Sequence, residues 1–161
     1  AGSTPHGDMN IDIVDGLVQE DSLRISWKKG HESQFYWQAD VPADFSQMEQ
    51  DDGALVMEFM INKYPKGSVT QRMDCGWPCR GEIDVTEFYK SIPLRQRSKV
   101  GISLSCFKKM GVDMKKITSP LVLVSKDEFE ITFSDVRVIA DASEDNTIQL
   151  CDSEVATLLQ D

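Results

Sequence analysis

The chain is 161 residues long, 40% hydrophobic, with 27 acidic against 17 basic side chains and a formal net charge of -10. That length and apolar content suit one domain with a packed core and exclude a disordered chain. The acidic balance argues against nucleic acid and anionic membranes as partners, since both select basic patches, and no apolar run reaches membrane-spanning length.

Residues 1–9 are mostly small and polar and read as a linker or remnant leading into the fold. Any export signal is expected upstream of them. From residue 10 the chain alternates. A strand is expected over Ile11–Val14. Leu23, Ile25 and Trp27 then alternate with Arg24, Ser26 and Lys28, and Phe35, Trp37 and Ala39 alternate with Tyr36 and Gln38. Leu55, Met57, Phe59 and Ile61 form a third set with period 2, which is the signature of a strand with one buried face. A strand is expected over Ser68–Met73, and Thr86–Ser91 is expected to form one or two helical turns, with Thr86 as N-cap and Pro93 ending it. The run VGISLSCF, Val100–Phe107, reads as one long strand carrying Val100, Ile102, Leu104 and Cys106 inward. A short turn over Met110–Ile117, a strand over Leu121–Val124 and a long strand over Phe129–Val138 follow.

Turn signals separate these runs at Lys29-Gly30, Asp51-Asp52-Gly53, Pro65-Lys66-Gly67 and Lys126-Asp127. Many short strands at such spacing predict an all-β, two-sheet sandwich of the jelly-roll type over residues 10–141, with one or two short helices. Residues 142–161 form an acidic tail, in which Asp152–Gln160 has the pattern of a short helix.

The segment RMDCGWPCRGEIDVT, Arg72–Thr86, is the most informative in the chain. It holds two of the four cysteines, Cys75 and Cys79, around Gly-Trp-Pro. Four cysteines allow three pairings, and the tight insert makes Cys75–Cys79 the expected bridge. Cys106 is expected to lie buried in its strand. Zinc would call for CxxC spacing or nearby histidines, and the only histidines are His6 and His31. His31 follows Gly30 in a turn-like stretch and is expected to be exposed.

Trp77 sits in a turn inside this loop, whereas Trp27 and Trp37 fall on the inward phase of their strands. A flat aromatic side chain stacks on the apolar face of a sugar ring, and a rigid loop lowers the entropy cost of binding. Arg72 and Arg80 flank Trp77 and can donate to hydroxyls or carboxylates, and Tyr36 points away from the core on its strand. The competing reading has Trp77 capping one end of the sandwich or packing on another domain. Both stay open at the level of sequence. A rigid aromatic loop on a sandwich suggests binding rather than catalysis.

Hydrolases use paired carboxylates, and acidic pairs occur at Glu82/Asp84, Asp51-Asp52, Asp127-Glu128 and Glu144-Asp145. With so many acids such pairs arise by chance, and no catalytic residue is assigned. There is no G-x-S-x-G and no glycine-rich phosphate loop. Asp8, Asn10, Asp12, Asp15 and Asp135 offer oxygen ligands for a structural calcium ion but lack EF-hand spacing. Solvated acidic surface is the better account, and no cofactor is expected.

Taken in order, VQEDSLRISW, DGALVMEFMIN, RMDCGWPCRGEIDVT, VGISLSCFKKMGVDM, SPLVLVS and EFEITFSDVRV resemble the galactose-binding-like C-terminal accessory domain of bacterial glycoside hydrolase family 3 enzymes, of the exo-1,3/1,4-β-glucanase type. The specific parts are C-G-x-x-C-x-G-x-[IV]-D-[IV]-T and [IV]-x-L-S-C-F. The resemblance covers about Ile11–Ile139. It implies a non-catalytic β-sandwich module from a secreted or periplasmic β-glucan-degrading enzyme. Its partners would be the catalytic domains of the same polypeptide and a β-glucan. A structural brace without sugar contact is the first alternative reading, and a small stand-alone glycosidase the second.

Overall fold

The computed structural model describes residues 2–3, 7–14, 22–37, 41–142 and 148–149. Two sheets face each other. The larger has the strand order β1-β2-β3-β10-β5-β8-β11, and the smaller β4-β9-β6-β7. In chain order the strands are β1 Gly2–Ser3, β2 Met9–Val14, β3 Ser22–Trp27, β4 Ser33–Trp37, β5 Ala54–Lys63, β6 Val69–Asp74, β7 Arg80–Asp84, β8 Ser98–Ser103, β9 Ser119–Ser125, β10 Phe129–Ile139 and β11 Ile148–Gln149. Short helices α1 Ser46–Gln50, α2 Thr86–Lys90 and α3 Leu104–Lys109 bridge them. Named pairings are antiparallel except β11 with β8, which is parallel. The expected all-β, two-sheet sandwich is therefore the fold.

Alternation explains why the sheets close on each other. Ile25 and Trp27 of β3, Phe59 and Ile61 of β5, and Phe129, Ile131 and Phe133 of β10 are buried from one side. Phe35, Met73, Ile83, Leu121 and Leu123 meet them from the other, in one contiguous core. Aromatic rings knit the layer. Trp27 stacks on Phe129 at 5.4 Å, Phe35 lies 6.3 Å from Phe133, and Phe59 meets Tyr89 edge-on at 5.7 Å. Each fully buried large apolar side chain contributes about 1.5–3 kcal/mol through burial alone. Two polar groups trapped inside have partners there. Trp27 Nε1 donates to the Ser33 carbonyl at 3.1 Å, and the Tyr89 hydroxyl donates to Gln71 Oε1 at 3.1 Å. Burial pushes the Tyr89 phenol well above its ordinary range.

Two expectations need correction. Val100–Phe107 is not one strand: β8 ends at Ser103 and Leu104–Lys109 is helical. A strand would put Phe107 on the face opposite Cys106, yet both are completely buried. The helical turn solves this, since Leu104 and Phe107 fall three apart on one helix face. Gly111, at φ +110°, lies just beyond the helix end. Cys106 is buried as expected, but from α3 rather than from a strand. Second, Thr86 is the first residue of α2 and not its cap. Its backbone N–H and its hydroxyl both donate to Asp84 Oδ1.

At the ends of the chain, Gly2 and Ser3 pair with Ile11 and Asn10, and Met9 is buried. Ile148 and Gln149, in the segment read as a tail, pair with Gly101 and Ile102. The expected helix over Asp152–Gln160, and His6, Asp15, Glu144, Asp145 and Cys151, lie outside the described residues.

Candidate functional site

The Arg72–Thr86 segment is a β-hairpin, with β6 and β7 paired from Thr70↔Asp84 to Asp74↔Arg80. The loop proper is only Cys75–Cys79. Cys75 and Cys79 form the expected disulfide, with Cα atoms 5.0 Å apart. The Cys75 amide donates to the Cys79 carbonyl and the Cys79 amide to the Gly76 carbonyl, at 2.9 and 2.8 Å. Gly76 has φ +87°, a conformation that favours glycine at this turn, and its N–H donates to Thr118 Oγ1 at 3.1 Å. The Trp77–Pro78 peptide is cis. Beneath the hairpin, a Cβ on Gly81 would lie 2.7 Å from Val112 Cγ2 and 3.1 Å from the Phe107 carbonyl oxygen. Glycine there lets the segment around α3 press against β7.

The tip presents Trp77 to solvent at 70% relative exposure, while Trp27 is 3% exposed. Two guanidinium groups brace the indole, with the Cζ of Arg80 4.3 Å and that of Arg72 5.5 Å from its ring centroid. Both arginines are themselves held. Arg72 donates to both oxygens of Asp74, at 2.6 and 3.1 Å, and to Gln34 Oε1 at 2.9 Å. Arg80 donates to Glu82 Oε1 at 2.6 Å and to the Pro78 carbonyl at 2.9 Å. The carboxylates neutralise the arginines and orient their planes, a geometry suited to Arg and not to Lys.

Strand register assembles these residues with Tyr36. Tyr36 pairs with Val122, Val122 with Arg72, and Arg72 with Glu82. The four form a single row across the outer face of the smaller sheet. Adjacent strands lie about 4.8 Å apart, so the row spans roughly 14 Å. Tyr36 is exposed at one end, and the hairpin carries Trp77 at the other. Val122, between them, is only 1% exposed, so the row's middle is shielded by its neighbours. The structure thus brings Tyr36, Arg72 and Arg80 onto one sheet face with Trp77 against the two arginines. The surface offers two exposed aromatics and fixed hydrogen-bonding groups, which is the chemistry of sugar-ring contact.

The other sequence candidates are dispersed. Asp8 accepts from the His31 amide and Nδ1, Asp12 pairs with Arg24, and Asp135 pairs with Arg137. Among the described residues no group of three acidic, histidine or cysteine side chains is placed to hold a metal ion. Of the paired acids, Glu82 accepts from Arg80 and Asp84 from Thr86. Two exposed carboxyls sit below their ordinary range. Asp44 is lowered by hydrogen bonds from Ser46, and Glu128 by the Lys66 ammonium beside it.

Sequence reasoning put Trp37 in the core, but it is only half-buried and lines a cleft of about 520 Å³ at one edge of the sandwich, with Phe133, Leu23 and Ile13. Period-2 alternation cannot distinguish a core position from one at the open margin between two sheets. The same limit hid the arginine support of Trp77, which depends on how β6 and β7 pair across the hairpin.

Residues 1–138 match the family described as Exop_C, galactose-binding domain-like. No curated protein matches the chain at the sequence level. Among solved structures, the extra C-terminal domain of the exo-1,3/1,4-β-glucanase from a Pseudoalteromonas species superposes with a TM-score of 0.76 at 18% identity, covering 94% of this chain and 82% of that one. Against that whole exo-1,3/1,4-β-glucanase the TM-score is 0.74 at 19% identity, and the match covers 94% of this chain but only 18% of the enzyme. The family 30 carbohydrate-binding module of a cellulosomal cellulase from Clostridium thermocellum superposes with a TM-score of 0.65 at 19% identity, covering 89% of this chain and 87% of the module. At these identities the superpositions establish the shared sandwich fold, and the family match does the rest: the chain belongs to the Exop_C family of galactose-binding-domain-like modules.

Proposed function

We propose that the chain is a non-catalytic C-terminal module of a secreted or periplasmic glycoside hydrolase family 3 exo-β-glucanase or β-glucosidase, and that it orients or retains β-glucan near a catalytic site on the same polypeptide. The observation that carries the reading is Trp77, exposed at the tip of a disulfide-closed hairpin and backed by two arginines. A core-forming tryptophan has no need of that arrangement, whereas a sugar-stacking one gains a preorganised platform. Tyr36 and Arg72 extend the contact across the sheet, so a glucan lying across the strands touches more of the surface than a single sugar does.

Family membership and the accessory-domain character of the structural relatives support the non-catalytic reading. The chain alone is therefore expected not to hydrolyse β-1,3- or β-1,4-glucans. Activity that vanishes on mutating one of its own carboxylates would reverse that reading.

Titration of the 161-residue chain with short and long β-glucan oligosaccharides tests the binding claim. We expect affinity to rise with chain length and Trp77→Ala to weaken it by about 1–3 kcal/mol, as for other stacked aromatics. If the wild-type chain binds no glucan while Trp77→Ala in the full enzyme lowers the melting temperature and slows short and long substrates alike, the module is a structural brace instead.

A further inference from the structure

Arg72 reaches well beyond the hairpin. Its Nε and Nη2 hold Asp74, and Nη2 also donates at 2.9 Å to Oε1 of Gln34 on β4. Strand β9 lies between β6 and β4, so the guanidinium crosses the outer face of β9 to make that bond. A side chain laid across β9 accounts for Val122, which stands on the outer face between Arg72 and Tyr36 yet is only 1% exposed. The Cζ of the same guanidinium lies 5.5 Å from the centroid of the Trp77 ring. One side chain therefore links the indole at the hairpin to the outermost strand of the smaller sheet.

That bond also fixes which way the Gln34 amide points. In open solvent a glutamine amide can turn either end to its neighbours. A guanidinium has donors and no acceptor, so only the amide oxygen can meet it. The oxygen of Gln34 is thus committed, and its Nε2 hydrogens are turned away from Arg72. Gln34 is exposed, and no described residue accepts from its Nε2 or from Nη1 of Arg72. Gln34 and Tyr36 lie two apart on β4 and share its outer face. From the hairpin to β4 the surface runs from an indole to open guanidinium hydrogens, then to a fixed amide beside a phenol.

Given the Trp77 reading above, on which this rests, we propose that Gln34 is a specificity-determining residue of the sugar site, and that the site takes a run of three β-linked sugars laid across the strands. Strands lie about 4.8 Å apart, and a β-linked pyranose carries its chain forward by about the same distance, so the roughly 14 Å from β7 to β4 match three rings. The first ring stacks on Trp77. The second lies over Arg72, whose Nη1 donates to its hydroxyls. The third accepts from Nε2 of Gln34 beside the Tyr36 ring. A dimer held on Trp77 ends before β4 and does not touch Gln34.

Two side-chain NMR signals of the 161-residue chain, the Trp77 indole N–H and the Gln34 amide hydrogens, report on the two ends of the site. They are followed in titrations with β-1,3- and β-1,4-linked glucose dimers, trimers, tetramers and pentamers. The dimer should move the Trp77 signal alone, and the trimer should move both. Affinity should rise about tenfold from dimer to trimer and then level off, with less than about twofold further gain at the pentamer. Gln34→Ala should weaken trimer binding about five- to tenfold and leave the dimer unchanged, as loss of one or two neutral hydrogen bonds does. Gln34→Glu separates contact from support. A carboxylate still accepts from Arg72 but has no hydrogen to donate, so it should weaken the trimer as alanine does. Both variants should keep the wild-type melting temperature, because Gln34 is exposed on an outer strand. The proposal is overturned if affinity levels off at the dimer or climbs steadily to the pentamer, or if the trimer leaves the Gln34 signals unmoved. It is overturned too if Gln34→Glu binds the trimer like the wild type, since Gln34 then serves only to hold Arg72. Those results leave the Trp77 reading standing as long as the Trp77 signal moves. If no oligomer moves it, that reading fails and the three-sugar site falls with it.

Discussion

The two outer faces of the sandwich use arginine differently. On the smaller sheet, Arg72 and Arg80 are each clamped by a carboxylate at 2.6 Å and serve to prop an aromatic ring. On the larger sheet, Arg137 pairs with Glu58 and Asp135 and Arg24 reaches Asp12 at 3.5 Å, whereas Arg97 donates to the Ser134 hydroxyl. The two arginines that prop the hairpin aromatic have their charge met by carboxylates, while none of the described carboxylates pairs with Arg97. Residue type alone therefore says little about a ligand. What matters is whether the neighbours have already consumed the side chain's donors and charge.

Removing what the two faces share should have the largest effect. Phe107 is fully buried and its carbonyl lies under Gly81. Phe107→Ala should cost about 3–5 kcal/mol of stability, visible as a drop in melting temperature and the loss of both faces together. If only the hairpin loosens while the rest melts normally, the faces do not rest on one cooperative core.

Gly81→Val comes next and separates the faces. It forces a side chain against Val112 and should destabilise by about 1–3 kcal/mol through overpacking. The damage should centre on the hairpin, with amide protection lost around Arg72–Asp84 before it is lost around Arg24 and Thr132. Uniform loss of protection would mean that the hairpin has no independent mobility.

Arg80→Gln sharpens the comparison further, because it removes the nearer guanidinium from Trp77. An exposed cation–π contact contributes about 0.5–1 kcal/mol, so glucan affinity should fall by no more than about fivefold and stability hardly at all. Trp77 fluorescence anisotropy should fall as the ring gains freedom. Unchanged anisotropy would show that the closed loop holds the ring without the arginine.

The smallest effect belongs to the far end of the sandwich, where Lys66 and Glu128 pair at 2.9 Å in full view of solvent. The ammonium holds the Glu128 carboxyl below its ordinary range. A group lowered in this way stabilises the fold above the ordinary carboxylate range, and the contribution is lost as pH falls through the lowered value. Lys66→Ala should return the Glu128 titration, followed by carboxyl NMR, toward ordinary behaviour with little change in melting temperature. An unmoved titration would assign the shift to another neighbour.

Much of this molecule was legible in the residues themselves. Alternation along Leu23–Trp27, Leu55–Ile61 and Phe129–Phe133 requires strands with one buried face, because successive side chains leave a strand on opposite sides. Cys75 and Cys79, with Gly-Trp-Pro between them, are close enough in sequence for the loop to dictate its own closure. The family resemblance rests on the same local patterns. Tertiary structure decided the rest, wherever a residue's role depends on distant parts of the chain. Val100–Phe107 alternates like a strand, yet it turns helical after Ser103 because the interior takes both Cys106 and Phe107. Trp37 shares the alternation of Phe35 but falls at the open margin between the sheets. Tyr36, Arg72 and Glu82 come into one row only through pairings across four strands, separated by up to 46 positions in sequence. Period and spacing are local properties, whereas register, neutralisation of charge and exposure are set by what folds alongside.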